Sequence, residues 1–206
     1  MNKIIKNTLL LTALTVILGL ILGYVHQITE EPIAQQEAAT KQAAFSEVFP
    51  EATNFQELEL TEDEMDVRFA DAIAAGGYTD EYIDGVAAAM DDADQILGYV
   101  FTITTKEGYG GDIQFVMGIS NENVIKGISF LSIEETAGLG MKATGDDFKS
   151  QFVDKPAELL EYSKTGAEAE NQIDALSGAT ITTNAVTNGV NAGVLAFQSI
   201  AEGGES

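Results

Sequence analysis

The sequence predicts an α+β protein: a single apolar N-terminal helix, then an antiparallel sheet with flanking helices. Three observations predict it. An uncharged apolar run fills 8–25. Three β-rich segments, 95–105, 113–120 and 124–133, follow one another through short glycine or polar turns. A stretch with apolar residues at helical spacing, 184–201, closes the chain.

The run at 8–25 reads TLLLTALTVILGLILGYV. A helix of that length just crosses a hydrocarbon layer of about 30 Å. A cleaved signal peptide is the rival reading, but Tyr24, Val25, His26 and Gln27 stand where a small-x-small cleavage site is needed. Lys3 and Lys6 precede the run, and Glu30 and Glu31 follow it. The positive-inside tendency then places the N-terminus in the cytoplasm and the rest outside, in a single-pass topology.

After Pro32 the spacing of Ile33, Ala34, Ala38, Phe45 and Val48 predicts a stalk helix, ended near Pro50. Residues 56–94 are acidic and read as a partly irregular covering excursion, with short elements at 65–73 and 82–90. The three strands form a meander, with KEGYGGD at 106–112 as glycine turn chemistry. A short helix at 145–154 pairs Phe148 with Phe152, and 173–175 is a last short strand. The expected organisation is a cytoplasmic start and anchor at 1–29, a stalk and excursion at 30–94, a folded domain at 95–201 and a flexible tail at 202–206.

Composition narrows the function. The formal net charge is −23, which repels nucleic acid and removes that class of partner. There is no cysteine, so thiolate catalysis, iron–sulfur ligation and cysteine-based zinc sites are excluded. His26 is the only histidine and lies beside the apolar run, so no Ser–His–Asp triad or histidine metal cluster belongs to the folded part. Any redox role must borrow an organic cofactor.

Two segments carry candidate chemistry. In Asp174-Ala-Leu-Ser-Gly-Ala-Thr180, the small residues Ser177, Gly178 and Ala179 allow close backbone approach. The hydroxyls of Ser177, Thr180, Thr182 and Thr183 gather where a helix starts, a place suited to a phosphate. A plain N-cap explains the same pattern, and spacing alone does not separate the three threonines. The second segment is Ser132-Ile-Glu-Glu-Thr-Ala-Gly-Leu-Gly140. Gly138 and Gly140 imply unusual backbone angles or a flat neighbour. Thr136 offers a hydroxyl. Glu134 and Glu135 point to opposite faces of a strand, so they do not form a proton-sharing pair. An ordinary strand-to-helix loop is the alternative.

The runs GYGGDIQFVMGIS, VIKGISFLSIEETAGLG and DALSGATITTNAV together resemble the FMN-binding domain of the G subunits of Rnf-type ion-translocating ferredoxin:NAD oxidoreductases. That family is related to the C subunits of sodium-pumping NADH:quinone reductases. The resemblance covers roughly 95–200. Where this loop carries Glu134 and Ala137, the family usually has a histidine or similar residue and often a proline. The resemblance implies covalent FMN, attached through its phosphate to Thr180 by a flavin transferase. It implies Asp174, Ser177, Gly178, Ala179 and Thr182 around the attachment, with Asp174 helping to present the hydroxyl. Thr136, Gly138, Leu139 and Gly140 would lie against the ring, with Glu135 in the same loop and Tyr109 at the rim. The chain would be an electron-transfer subunit without a complete active site of its own. Ferredoxin and NAD would be reached through other subunits, which would also move the ion. The C subunit of a quinone reductase, and a non-redox exterior assembly scaffold, are the alternative readings.

Overall fold

The computed structural model describes residues 2–60 and 69–203. It falls into two compact units, 1–42 and 43–206.

The first unit lies in helix α1 (Lys3–Val48), which is long and apolar enough to cross a membrane. Every described side chain from Asn2 to Thr40 is exposed, so no described residue of this chain covers its apolar surface. The sequence parts anchor from stalk at Pro32, whereas one helix runs through it. The proline removes one backbone donor, and good helix formers on both sides (Glu30, Glu31, Ala34, Gln35) sustain the helix across the gap. The helix ends at Val48, two residues before Pro50, as the restriction on the residue preceding a proline requires.

The second unit is a six-stranded sheet in simple order: β1 (Asn54–Glu57), β2 (Glu81–Met90), β3 (Ile96–Thr105), β4 (Ile113–Ser120), β5 (Val124–Ile133) and β6 (Lys155–Pro156). All neighbours are antiparallel. The three expected strands are β3 to β5. The sheet does not begin at 95, however. β1 and β2 precede it, inside what the sequence presents as a covering excursion, where β2 occupies the short element expected at 82–90. The reason is packing. Ala87 and Ala89 of β2 have little strand propensity but are small enough to lie under Phe45 and Phe49. α2 (Asp71–Ala75) covers the end of the expected element at 65–73; residues 65–68 lie outside the described residues.

Both faces of the sheet are covered. Ala44, Phe45, Val48 and Phe49 pack on Ala87, Ala89, Val100 and Val116 on one face. The other face carries Phe101, Ile103, Phe115 and Met117 under helix α4 (Thr180–Gly203). Strands buried on both faces read as nearly continuous apolar runs, which is why β4 is IQFVMGIS rather than a clean alternation. Gly189 and Gly193 bring α4 close: a Cβ on Gly193 would stand 2.3 Å from Met117 Cε.

α3 (Asp146–Lys149) packs Phe148 against Phe152 at 5.3 Å, edge to face, as their four-residue spacing predicts. β7 (Glu161–Ser163) and β8 (Gln172–Asp174) form a separate parallel pair. α4 starts four residues earlier than 184 and includes 202 and 203; the remainder of the expected tail, 204–206, lies outside the described residues.

Candidate functional site

Three segments that are far apart in sequence meet at the start of α4. In the first, Ala179 N–H donates to the Leu176 carbonyl at 3.0 Å, closing a turn whose third residue is Gly178 at φ +77°. Thr180 is the first residue of α4. In the second, Leu139 N–H donates to the Thr136 carbonyl at 3.1 Å, and Gly138 takes φ +76°. The two turns face each other: a Cβ on Gly178 would lie 3.1 Å from Leu139 Cδ2. Gly140 sits still tighter, where a Cβ would be 2.5 Å from Thr182 Oγ1 and 2.6 Å from Glu135 Oε2.

The third segment is the β3–β4 turn. The Glu135 carboxylate accepts the Tyr109 N–H at 2.7 Å and the Gly110 N–H at 3.4 Å. Glu135 is buried and Glu134 exposed, so the two face opposite ways, although both lie just past the end of β5 at Ile133. Glu135 is therefore a fastener beneath the site. Tyr109 itself is exposed, at a rim.

The structure separates the threonines that spacing leaves equivalent. The Thr183 hydroxyl is buried, accepts the Leu176 N–H and donates to the Ala179 carbonyl, both at 3.0 Å. Thr182 is buried against Gly140. Thr180 is half-buried, and its hydroxyl has no hydrogen-bond partner among the described residues. The N–H groups of Thr180, Ile181 and Thr182 likewise have none among those residues, as the first turn of a helix leaves them. Ser177 and Gly178 are exposed beside them, and Ala179 is buried.

Asp174 does not reach this cluster. Its carboxylate accepts the Ala167 N–H, and its backbone is held by Gln151. It shapes the β7–β8 arm that leads into the turn.

Sequence reasoning misses Glu107. Its carboxylate accepts the side-chain amides of Asn184 at 3.1 Å and Asn188 at 2.6 Å, tying the β3–β4 turn to α4. The signal is the pair of asparagines one helical turn apart. Glu107 also acts on Glu81, whose carboxyl is pushed up to about 7, first by burial and then by the Glu107 charge. Thr105 O–H donates to Glu81 at 3.2 Å and opposes the shift.

These residues suit a flavin mononucleotide. A free hydroxyl and unpaired amides fit a phosphate, and two glycine turns with an exposed Leu139 fit a flat apolar ring.

Comparison with known proteins points the same way. The family description "FMN-binding domain" matches residues 108–194, and "RnfG N-terminal region" matches 1–48. The G subunit of the Na(+)-translocating ferredoxin:NAD(+) oxidoreductase complex of Acetobacterium woodii is 31% identical, over 97% of this chain and 94% of its own. The proton-translocating counterpart of Clostridium ljungdahlii is 30% identical, over 94% and 91%. Among solved structures, NqrC of Shewanella oneidensis is 25% identical, covers 56% of this chain and 58% of its own, and superposes with a TM-score of 0.47. The chain belongs to the family of G subunits of the ion-translocating ferredoxin:NAD oxidoreductase complexes.

Proposed function

We propose that this chain is a single-pass membrane subunit that carries electrons on FMN, esterified through its phosphate to Thr180, within an ion-translocating ferredoxin:NAD oxidoreductase complex. The observation that carries the attachment point is the Thr180 hydroxyl: half-buried, unpartnered among the described residues, and set beside the open amides of the first turn of α4.

Bound FMN supplies the redox chemistry, and the protein holds and orients it. Thr180 would anchor the phosphate, with the N–H groups of 180–182, Ser177, Gly178 and Thr182 around it. Thr136, Gly138, Leu139 and Gly140 would lie against the ring, with Tyr109 at the rim. Glu135 and Glu107 fix the β3–β4 turn against this loop and against α4, so the two sides of the site keep their spacing. The exposed Ser177–Gly178 turn, at the end of the arm that Asp174 shapes, would present Thr180 to a flavin transferase. Lys3 and Lys6 before the apolar run favour the FMN domain on the extracytoplasmic face. Other subunits would exchange electrons with ferredoxin and NAD and would provide the ion path, since an uncharged single helix offers none.

The test is direct. The full chain, co-expressed with a flavin transferase, stays fluorescent after denaturing electrophoresis and gains the mass of one FMN. Thr180→Val loses both, while Thr182→Val keeps them. An unmodified mass in the native chain overturns the covalent attachment.

A further inference from the structure

The two edges of the sheet are unlike. β1 is an edge of four residues carrying Glu57, short and charged, the usual defence against strand pairing. β5 is ten residues long, yet β6 pairs only with Val124 and Ile125. On that side the stretch from Phe130 to Ile133 has no strand beside it, and no backbone hydrogen bond leaves it except toward β4 among the described residues. A cavity of about 500 Å³ follows this edge, lined by Glu47, Ser129, Leu131, Ser132, Glu134 and Lys149.

The cavity has defined ends. At one, the Glu47 carboxylate accepts the Ser129 hydroxyl at 2.6 Å and is salt-bridged to Lys149, so the bridge closes over the strand. At the other stands Glu134, exposed and without a hydrogen bond or ion pair among the described residues. Between them lie about four residues of open strand with half-buried Leu131 and exposed Ser132.

We propose that this edge of β5 docks an extended segment of another subunit of the complex by strand addition, with a lysine or arginine of that segment paired to Glu134. Open backbone groups supply the hydrogen bonds, and the cavity takes alternate side chains. Charge selects a basic heterologous segment over a second copy of this chain: the net charge of −23 repels its own kind and attracts the opposite sign. The position matters for electron transfer: Glu134 directly precedes Glu135 and the loop that faces the start of α4. The docked partner is thus brought to the flavin-facing loop along the strand itself, a consequence that rests on the FMN site proposed above.

The absence of cysteine makes a clean experiment possible. Ser132→Cys is introduced into the full chain, the whole complex is purified, and a short maleimide–diazirine cross-linker is attached to the new thiol and photolysed. The expected product is a cross-link to another subunit, mapping by mass spectrometry to a segment with a lysine or arginine. In parallel, hydrogen exchange compares the isolated chain with the assembled complex. Among residues 130–133, the amides that do not bond to β4 slow by at least about tenfold on assembly, and Glu134→Lys releases at lower salt the subunit that the cross-link identifies. Because docking does not require the Thr180 linkage, the covalent flavin band is unchanged in Glu134→Lys. A cross-link to a second copy alone, no cross-link at all, or unchanged exchange at these amides overturns the proposal.

Discussion

Gly140 shows how little room the site leaves at the level of one residue. An alanine there would bring a methyl within 2.6 Å of both Thr182 Oγ1 and Glu135 Oε2, closer than real contacts allow. Glu135 cannot retreat freely, because its carboxylate holds the Tyr109 and Gly110 amides. Gly140→Ala should therefore destabilise the chain by about 1–3 kcal/mol and lower the FMN bound per chain, read by thermal unfolding and by flavin absorbance. Glu81 makes a different residue-scale prediction. Its folded-state pKa, about 7, lies above the ordinary 4.5, so the folded chain binds this proton more tightly than the unfolded chain. Stability is then fully present below about 4.5 and declines as pH rises through about 7. Glu81→Gln retains an acceptor for the Thr105 hydroxyl and removes the charge. Its melting temperature should exceed that of the native chain at pH 8, and the difference should vanish near pH 4.

At the scale of elements, a buried asparagine inside α4 fastens the helix to the segment that leads into β7. Asn191 accepts the Leu160 N–H at 2.7 Å, and its amide donates to the Leu160 carbonyl and to the Tyr78 hydroxyl, each at 2.9 Å. Asn191→Leu would leave buried backbone groups of Leu160 unsatisfied and should lose about 2–4 kcal/mol, measured by denaturant unfolding. The elements also show what is legible in the sequence. β3, β4 and β5 carry their signal in β-branched and aromatic residues bounded by glycine or polar turns, and they lie where that signal lies. β2 does not, because Ala87–Ala89 act through small size under Phe45 and Phe49, a property visible only once the neighbour is known. At the site, the turns around Gly138 and Gly178 are readable from their glycines. Their opposition, and the Glu107 tie to Asn184 and Asn188, are not, because they depend on long-range register.

For the whole molecule, the decisive boundary is where the membrane helix becomes part of the sheet's cover. The end of α1 buries Ala44, Phe45 and Val48, and Phe49 just after it, against Val100 and Val116, so the folded unit begins at Ala43 and not at the first recognisable strand. A chain starting at Ala43 should be soluble without detergent and unfold in one cooperative step. A chain starting at Ala52 loses two phenylalanines and a valine from that face and exposes Ala87, Ala89, Val100 and Val116 to water. Removing a buried phenylalanine alone costs about 3–5 kcal/mol, comparable to much of the stability of an ordinary domain. The shorter chain should therefore lose its melting transition or aggregate. Circular dichroism melts and gel filtration of the two truncations decide the matter. Equal cooperativity in both would mean that the end of α1 merely rests on the sheet, while failure of the shorter chain alone would show that the anchor's final turns belong to the core of the flavin-carrying domain.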